Sequence, residues 1–178
     1  MKRRLFLTGP IGCGKSTAIA AALGEKFAQC GGFLTRRHRE PHLHFTLESP
    51  DGKTEKTFLD FSAGRPEAAL SVFSDVPLQG RVLILDEIGG IELLNPEFFS
   101  MLETLLKSDV PVIGVMKGEG PASALVRTLG LTGVYEEKAE KLRDFLRNDP
   151  DTLLYECKQF DETALALARQ WTEEYLHD

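Results

Sequence analysis

The sequence predicts an α/β fold in which helices cover both faces of a mostly parallel β-sheet, giving a three-layer sandwich. Two observations predict it. Short apolar runs, such as residues 82–85, are typical of strands that are buried on both faces of a sheet. These runs alternate along the chain with segments whose apolar residues recur at helical spacing. Because the chain has 178 residues, we expect residues 1–178 to form a single domain.

The N-terminal third of the chain predicts two strands, a helix and a β-hairpin. An apolar strand at 5–7 ends at a Gly-Pro pair, and a helix is expected over 15–27. Residues 33–35 predict a second strand. Residues 43–61 then predict a hairpin inserted into the fold, because apolar and polar residues alternate at 43–47 and a Ser-Pro-Asp-Gly turn follows.

The rest of the chain alternates predicted strands and helices. Proline suits the first position of a helix, so we expect a short helix to begin at Pro66 and a longer one at Pro96, capped by Asn95. The remaining predicted elements are strands at 82–85, 110–116 and 153–156 and helices at 121–129, 136–147 and 161–175.

Composition and charge narrow the range of partners. Asp and Glu number 27 against 21 Lys and Arg, and the net charge of −6 disfavours general binding to nucleic acids. The three cysteines form no C-x-x-C pair, which disfavours a disulfide framework or a structural zinc site and fits a reducing cytosol. No apolar run reaches the roughly 18 residues that a membrane span needs. We therefore expect a cytoplasmic protein without membrane or nucleic-acid partners, with a monomer favoured.

Residues 9–16 read Gly-Pro-Ile-Gly-Cys-Gly-Lys-Ser and match the phosphate-binding pattern G-x-x-x-x-G-K-[ST], between a predicted strand and a predicted helix. Glycines let the backbone curl so that successive N–H groups face phosphate oxygens. Lys15 is expected to neutralise the β- and γ-phosphates, and the Ser16 hydroxyl to bind Mg²⁺. The motif therefore predicts a P-loop NTPase fold that binds a nucleoside triphosphate such as ATP or GTP. The predicted nucleotide-binding residues of this segment are Gly9, Pro10, Ile11, Gly12, Cys13, Gly14, Lys15, Ser16 and Thr17. The side chain of Cys13 is expected to point away from the nucleotide.

Two acidic residues end the apolar run at 82–85. A carboxylate at the end of a neighbouring strand can reach the metal from the side opposite Ser16, and Asp86 is predicted to do so. Glu87 follows and is expected to point beyond the γ-phosphate, where it can orient or deprotonate an attacking water. An acid directly after Asp86 favours a sheet in which one strand separates the strand before Lys15 from the strand before Asp86.

Residues 86–93, Asp-Glu-Ile-Gly-Gly-Ile-Glu-Leu, together with the phosphate loop and the Gly-Phe-Leu-Thr stretch at 32–35, resemble the cancer-related nucleoside-triphosphatase family. The resemblance covers nearly the whole chain and implies Mg²⁺-dependent hydrolysis of several nucleoside triphosphates to diphosphate and phosphate, with broad base selectivity. It also makes Glu92 a candidate catalytic residue, the alternative being an acid that stabilises a helix start. Arg39 matches an arginine of the family and is predicted to bind the nucleotide, whereas Arg37 stands where the family has glutamate.

Three functions are compatible with these residues. In a nucleoside-triphosphatase, which we favour, water attacks the γ-phosphorus and Glu87 positions this water. The sequence lacks the Asn-Lys-x-Asp segment that recognises guanine in GTPases, so we expect little selectivity among bases. In a small-molecule or nucleotide kinase, Glu87 would engage an acceptor hydroxyl, but no segment has the composition of an arginine-rich lid. Arg143 and Arg147 lie on a predicted amphipathic helix. The third function is a nucleotide-dependent switch with negligible turnover. Glu87 disfavours it, because a protein that only binds nucleotide needs no catalytic base at this position.

Overall fold

The computed structural model describes residues 1–118, 121–159 and 161–176, and at its centre lies a β-sheet of eight strands. The strands are β1 (Arg4–Thr8), β2 (Gly31–His38), β3 (His44–Glu48), β4 (Glu55–Asp60), β5 (Glu67–Ala68), β6 (Leu83–Ile88), β7 (Val112–Met116) and β8 (Thr152–Glu156). The helices are α1 (Lys15–Leu23), α2 (Pro96–Leu106), α3 (Pro121–Thr128), α4 (Thr132–Asn148) and α5 (Glu162–Tyr175). Short 3₁₀ segments occupy Gly24–Gln29, Leu70–Asp75 and Ile91–Leu94.

The strand order brings the two predicted site segments to one edge of the sheet. Across the sheet the order is β5-β4-β3-β2-β6-β7-β1-β8. The strands from β2 to β8 in this order are parallel, whereas β3 and β4 form the predicted antiparallel hairpin, which β5 extends. Strand β7 separates β6 from β1, which confirms the predicted arrangement. The phosphate loop after β1 and the acidic pair on β6 therefore lie at the same edge, where parallel strands end.

Helices cover both faces of the sheet, which confirms the three-layer α/β prediction. On one face, Phe6 and Leu85 belong to a core that packs under α2 and α4. On the other face, α1 and α5 pack over a core that includes Ile84 and Trp171. Trp171 is fully buried, and its indole N–H donates to the carbonyl oxygen of Arg3 at 3.1 Å. None of the helices in the described ranges is both long enough and apolar enough to cross a bilayer.

Some predicted element boundaries are wrong, and each has a local cause. No α-helix begins at Pro66, because the next residues form β5, and the Ala69 N–H donates to the Phe58 carbonyl of β4 at 2.9 Å. Helix α1 ends earlier than predicted because the backbone leaves the helical conformation at Gly24, where φ is 53°. Helix α2 begins as predicted, with the Asn95 side chain accepting a hydrogen bond from a backbone N–H of the first turn.

A buried ion pair joins the start of β1 to the loop before β8. Arg4 is 3% exposed, and its guanidinium donates to Asp149 Oδ2 from Nε at 3.1 Å and from Nη2 at 3.0 Å. The Thr152 hydroxyl and the Ser108 carbonyl accept the other hydrogen bonds of this guanidinium. Burial by itself raises the pKa of Asp149, but hydrogen bonds from Thr152 and Arg4 outweigh burial and hold this pKa below its usual value.

Replacing Asp149 by asparagine is expected to lower the free energy of unfolding by about 3 kcal/mol at neutral pH, because the buried arginine then lacks its counter-charge. Since the pKa of Asp149 is lower in the folded than in the unfolded state, the contribution is complete above about pH 5 and is lost as the carboxylate is protonated in more acidic solution. Urea denaturation at neutral pH and at about pH 3 measures both effects, with the exposed Asp144→Asn as a control. An equal difference between D149N and wild type at both pH values would contradict the assigned ion pair.

Candidate active site

A cleft of about 1030 Å³ opens at the edge of the sheet where β1, β6 and β7 end. Residues 9–17 line it, with the exception of Cys13, and so do Asp86, Glu87 and Glu92. On its far side the cleft reaches the hairpin formed by β3 and β4. The structure thus brings together nearly all of the residues that the sequence marks as candidates, although 70 positions separate Ser16 from Asp86.

The phosphate loop packs closely against the end of β8. Gly9 has a φ of +124°, and a Cβ added there would lie 2.5 Å from the carbonyl oxygen of Cys157, so only glycine fits. Gly14, with a φ of 92°, precedes α1 and provides no side-chain cap for the helix N-terminus. The first N–H groups of α1 and the positive end of its dipole therefore lie at the cleft, an arrangement that binds phosphate.

The side chain of Lys15 folds back against the first residues of the phosphate loop. Its Nζ donates to the carbonyl oxygens of Gly9 at 3.0 Å and Pro10 at 2.7 Å, and these bonds place the ammonium group inside the curl of the backbone. Cys13 Sγ lies 3.5 Å from the same nitrogen, and the Cys13 side chain packs against the core under α1 and α5. Cys13 does not line the cleft, and the orientation of its side chain away from a bound nucleotide stays a prediction.

Ser16 and Asp86 meet at the predicted metal position. Ser16 Oγ donates to Asp86 Oδ1 at 2.9 Å. Burial raises the pKa of Asp86 to about 6 despite the hydrogen bond from Ser16. A cation bound beside this carboxylate would favour its charged form, because opposite charges attract. Within the described ranges, no three His, Cys, Asp or Glu side chains cluster to hold a metal by themselves. A hydroxyl and one carboxylate fit Mg²⁺, which usually binds one or two carboxylates together with phosphate oxygens and water.

Glu87 is held by a lysine that follows the neighbouring strand. Lys117 directly follows β7, and its Nζ donates to Glu87 Oε1 at 2.7 Å. The peptide bond between Asp86 and Glu87 is cis, and the pairing of β6 with β7 changes register at this point. The ion pair keeps the Glu87 carboxylate at the cleft next to Asp86, where it can accept a proton from water.

Glu92 is buried, and the backbone of the preceding turn surrounds its carboxylate. Oε1 accepts hydrogen bonds from the N–H groups of Gly89 at 2.6 Å and Gly90 at 2.8 Å. Burial raises the pKa of Glu92, and the hydrogen bond from Gly90 and the charge of Lys117 oppose this rise. Tyr135 supports the same turn, because its hydroxyl donates to the Gly89 carbonyl at 2.8 Å. These contacts make Glu92 a brace for the turn after Glu87, and a direct catalytic role stays a prediction.

The arginines that line the cleft do not include Arg39, which the sequence predicts to bind the nucleotide. Arg39 lies beyond the end of β2, is exposed, and does not line the cleft; Arg36 and Arg37 of β2 line it instead. Helix α4 adds Arg143 and Arg147 to the lining, and the sequence predicts no nucleotide contact for either residue. Their spacing of one helical turn on an amphipathic helix is the signal that could have identified them.

A phosphate loop before a helix, with a serine of that helix hydrogen-bonded to an aspartate at the end of another strand, defines a P-loop protein that binds nucleoside triphosphates. A model of the NTPase family matches residues 4–148, and the chain belongs to this family. Membership confirms the resemblance that residues 86–93 predict. It also confirms the predicted class of enzyme, a nucleoside-triphosphatase.

Relatives and solved structures agree with this membership. The nucleoside-triphosphatase THEP1 of Thermotoga petrophila is 29% identical over 171 residues, which cover 87% of this chain and 93% of the relative. The cancer-related nucleoside-triphosphatase homolog of Mus musculus is 29% identical over 151 residues, 67% of this chain and 79% of the relative. The crystal structure of THEP1 from Aquifex aeolicus has a TM-score of 0.68 at 16% identity and covers 98% of this chain and 99% of its own. The solution structure of a human cancer-related nucleoside triphosphatase has a TM-score of 0.61 at 21% identity and covers 96% of both chains. The two structures confirm the fold.

Proposed function

We propose that this chain hydrolyses nucleoside triphosphates to diphosphate and phosphate in a Mg²⁺-dependent reaction with broad base selectivity. The observation that carries the proposal is the hydrogen bond of 2.9 Å from Ser16 Oγ to Asp86 Oδ1. A hydroxyl and a carboxylate that meet beside a phosphate loop fit the magnesium complex of a triphosphate, since one ion can then bind the protein and the phosphates together.

The chain's own groups account for phosphate binding and for the attack of water. Lys15 and the N–H groups of the phosphate loop hold the β- and γ-phosphates and balance the charge that develops on them. Ser16 and Asp86 would hold Mg²⁺, which supplies further positive charge to the phosphate oxygens. Glu87 accepts a proton from the attacking water, and Lys117 keeps the Glu87 carboxylate in position.

Replacing Lys117 by methionine is expected to lower kcat roughly 10- to 100-fold, because Glu87 then loses the hydrogen bond that positions it. Steady-state phosphate release measures the effect, and Lys117→Arg, which keeps a donor and the charge, should recover part of the rate. A loss seen only in KM, with kcat intact, would assign Lys117 to nucleotide binding instead.

The finer parts of the proposal have separate support. The sequence contains no Asn-Lys-x-Asp segment, which supports broad base selectivity. The net charge of −6 supports a protein without nucleic-acid partners. We also propose a cytoplasmic monomer in which residues 1–178 form one domain. The second candidate function is a small-molecule or nucleotide kinase, and the observation that favours it is the presence of Arg143 and Arg147 in the cleft lining.

Phosphate release from ATP, GTP, CTP and UTP tests the proposal. With Mg²⁺ alone, the four rates are expected to agree within about tenfold, and excess EDTA should abolish all of them. Asp86→Asn should need a higher Mg²⁺ concentration for half-maximal turnover, because the metal loses its carboxylate ligand. Turnover that appears only when a cell extract is added would favour the kinase. Tight nucleotide binding without turnover would favour the switch.

A further inference from the structure

Apolar and aromatic side chains of the hairpin form the far side of the cleft, and the proposed reaction gives them no role. Leu43, Phe45, Phe58 and Phe61 line this side, and we call them the aromatic wall. The ring centroid of Phe45 lies 6.3 Å from that of Phe58 and 6.5 Å from that of Phe61. Phe58 is buried, whereas the other three side chains are half-buried and face the cleft. The wall therefore offers apolar rings to a ligand in the cleft.

The strand order separates the aromatic wall from the phosphate loop. Starting at β1, the strands follow in the order β7, β6, β2, β3, and neighbouring strands lie about 4.8 Å apart. The acidic pair on β6 is thus roughly 10 Å from β1, and Phe45 on β3 lies roughly 10 Å farther in the same direction. A triphosphate with its γ-phosphate at Glu87 has its β-phosphate in the phosphate loop, so its nucleoside extends away from the wall. The base of the bound nucleotide therefore does not occupy the wall.

An arginine lies at the rim of the wall, although the chain has a net charge of −6. Arg37 of β2 pairs with Phe45 across the two strands, and its guanidinium carbon lies 6.0 Å from the centroid of that ring. Arg36 lies 3.6 Å from Glu48, whereas Arg37 has no ion-pair partner among the residues that the structure describes. A guanidinium over an aromatic ring at a cleft suits a ligand that combines a flat ring with an acidic group.

We propose that the aromatic wall and Arg37 form a second ligand site, which binds a small aromatic anion beside the position of the γ-phosphate. The ring of this ligand stacks on Phe45 and Phe61, and its acidic group pairs with Arg37. An apolar pocket with one placed charge is a common form of small-molecule site. The inference rests on the proposed function only for the direction in which the triphosphate lies.

The fluorescent probe 8-anilinonaphthalene-1-sulfonate tests the site, because it is an aromatic anion whose emission rises in apolar surroundings. We expect one probe molecule to bind the full chain and to stay bound at saturating Mg²⁺-ADP, since the two ligands occupy different parts of the cleft. Displacement of the probe by Mg²⁺-ADP would overturn the inference, because the probe would then occupy the nucleotide site.

Two variants test which residues hold the probe. Arg37→Glu should weaken probe binding about 10-fold or more, since it replaces the attractive charge with a repulsive one. Arg65→Glu makes the same change of charge on a side chain that is 81% exposed and outside the cleft lining, and it should leave binding unchanged. Phe45→Leu keeps an apolar side chain but removes the ring, and it should weaken binding about threefold or more.

Wild-type affinity in both Arg37→Glu and Phe45→Leu would overturn the second site. Phosphate release by the wild-type chain tests the proposed hydrolysis separately. A protein that binds the probe as expected but releases no phosphate would contradict the proposed function and leave the second site standing. A protein that hydrolyses ATP but does not bind the probe would contradict the second site and leave the proposed function standing.

Discussion

Glu87→Gln should bind nucleotide within a few-fold of the wild-type affinity and turn it over roughly 10²–10⁴ times more slowly. Glutamine retains a side-chain oxygen that can accept the hydrogen bond now made by Lys117 Nζ to Glu87 Oε1 at 2.7 Å, so the local geometry is kept. The amide cannot take a proton from water at neutral pH, and the chemical step therefore slows. Phosphate release gives kcat, and titration with Mg²⁺-ADP gives the nucleotide affinity.

Glu55→Gln is the matched control for this change. Glu55 is exposed on β4 and does not line the cleft, so the variant loses the same charge far from the site and should keep the wild-type rate. Hydrolysis by Glu87→Gln at the wild-type rate would show that another group is the base. A large loss of affinity would instead assign Glu87 to nucleotide binding.

Lys15→Ala should lower the rate by roughly 10²-fold or more and should also weaken nucleotide binding, because one side chain contributes charge to the bound triphosphate and to the transition state. The Lys15 ammonium group already lies inside the phosphate loop, hydrogen-bonded to the carbonyl oxygens of Gly9 and Pro10. Phosphate release and nucleotide titration measure the two losses separately.

Lys107→Ala, at an exposed position after α2, controls for the loss of one positive charge. Circular dichroism during thermal unfolding checks that the Lys15 variant is folded at the assay temperature. A folded Lys15→Ala protein with wild-type rate and affinity would mean that the phosphates bind elsewhere in the chain.

Most of the nucleotide site could be predicted because its pieces are short, continuous motifs. The phosphate loop spans eight residues between a strand and a helix, and its backbone geometry follows from its own glycines. The apolar run before Asp86 likewise indicates a buried strand whose carboxyl end carries the acids. Both segments therefore indicate their chemistry before any contact between them is known.

Contacts between distant segments could not be predicted in this way. The pairing of Lys117 with Glu87 joins residues 30 positions apart, and no local pattern encodes it. The family resemblance that made Glu92 a candidate did not show that its carboxylate accepts hydrogen bonds from two backbone N–H groups of the turn before it. Arg39 matched a motif, yet the end of β2 places Arg36 and Arg37, rather than Arg39, along the cleft.

The amino-acid order by itself determined the class of fold, the phosphate loop and the acidic strand end, because hydrophobic periodicity and glycine content act within a few residues. Only the tertiary structure decided which cations face the cleft and that an aromatic surface lies beyond the acidic pair. It also decided that Glu87 pairs with a lysine, whereas Glu92 accepts hydrogen bonds from the backbone. The physical reason is that these features depend on strand order and on the meeting of side chains from separate elements, which the periodicity of one segment does not specify.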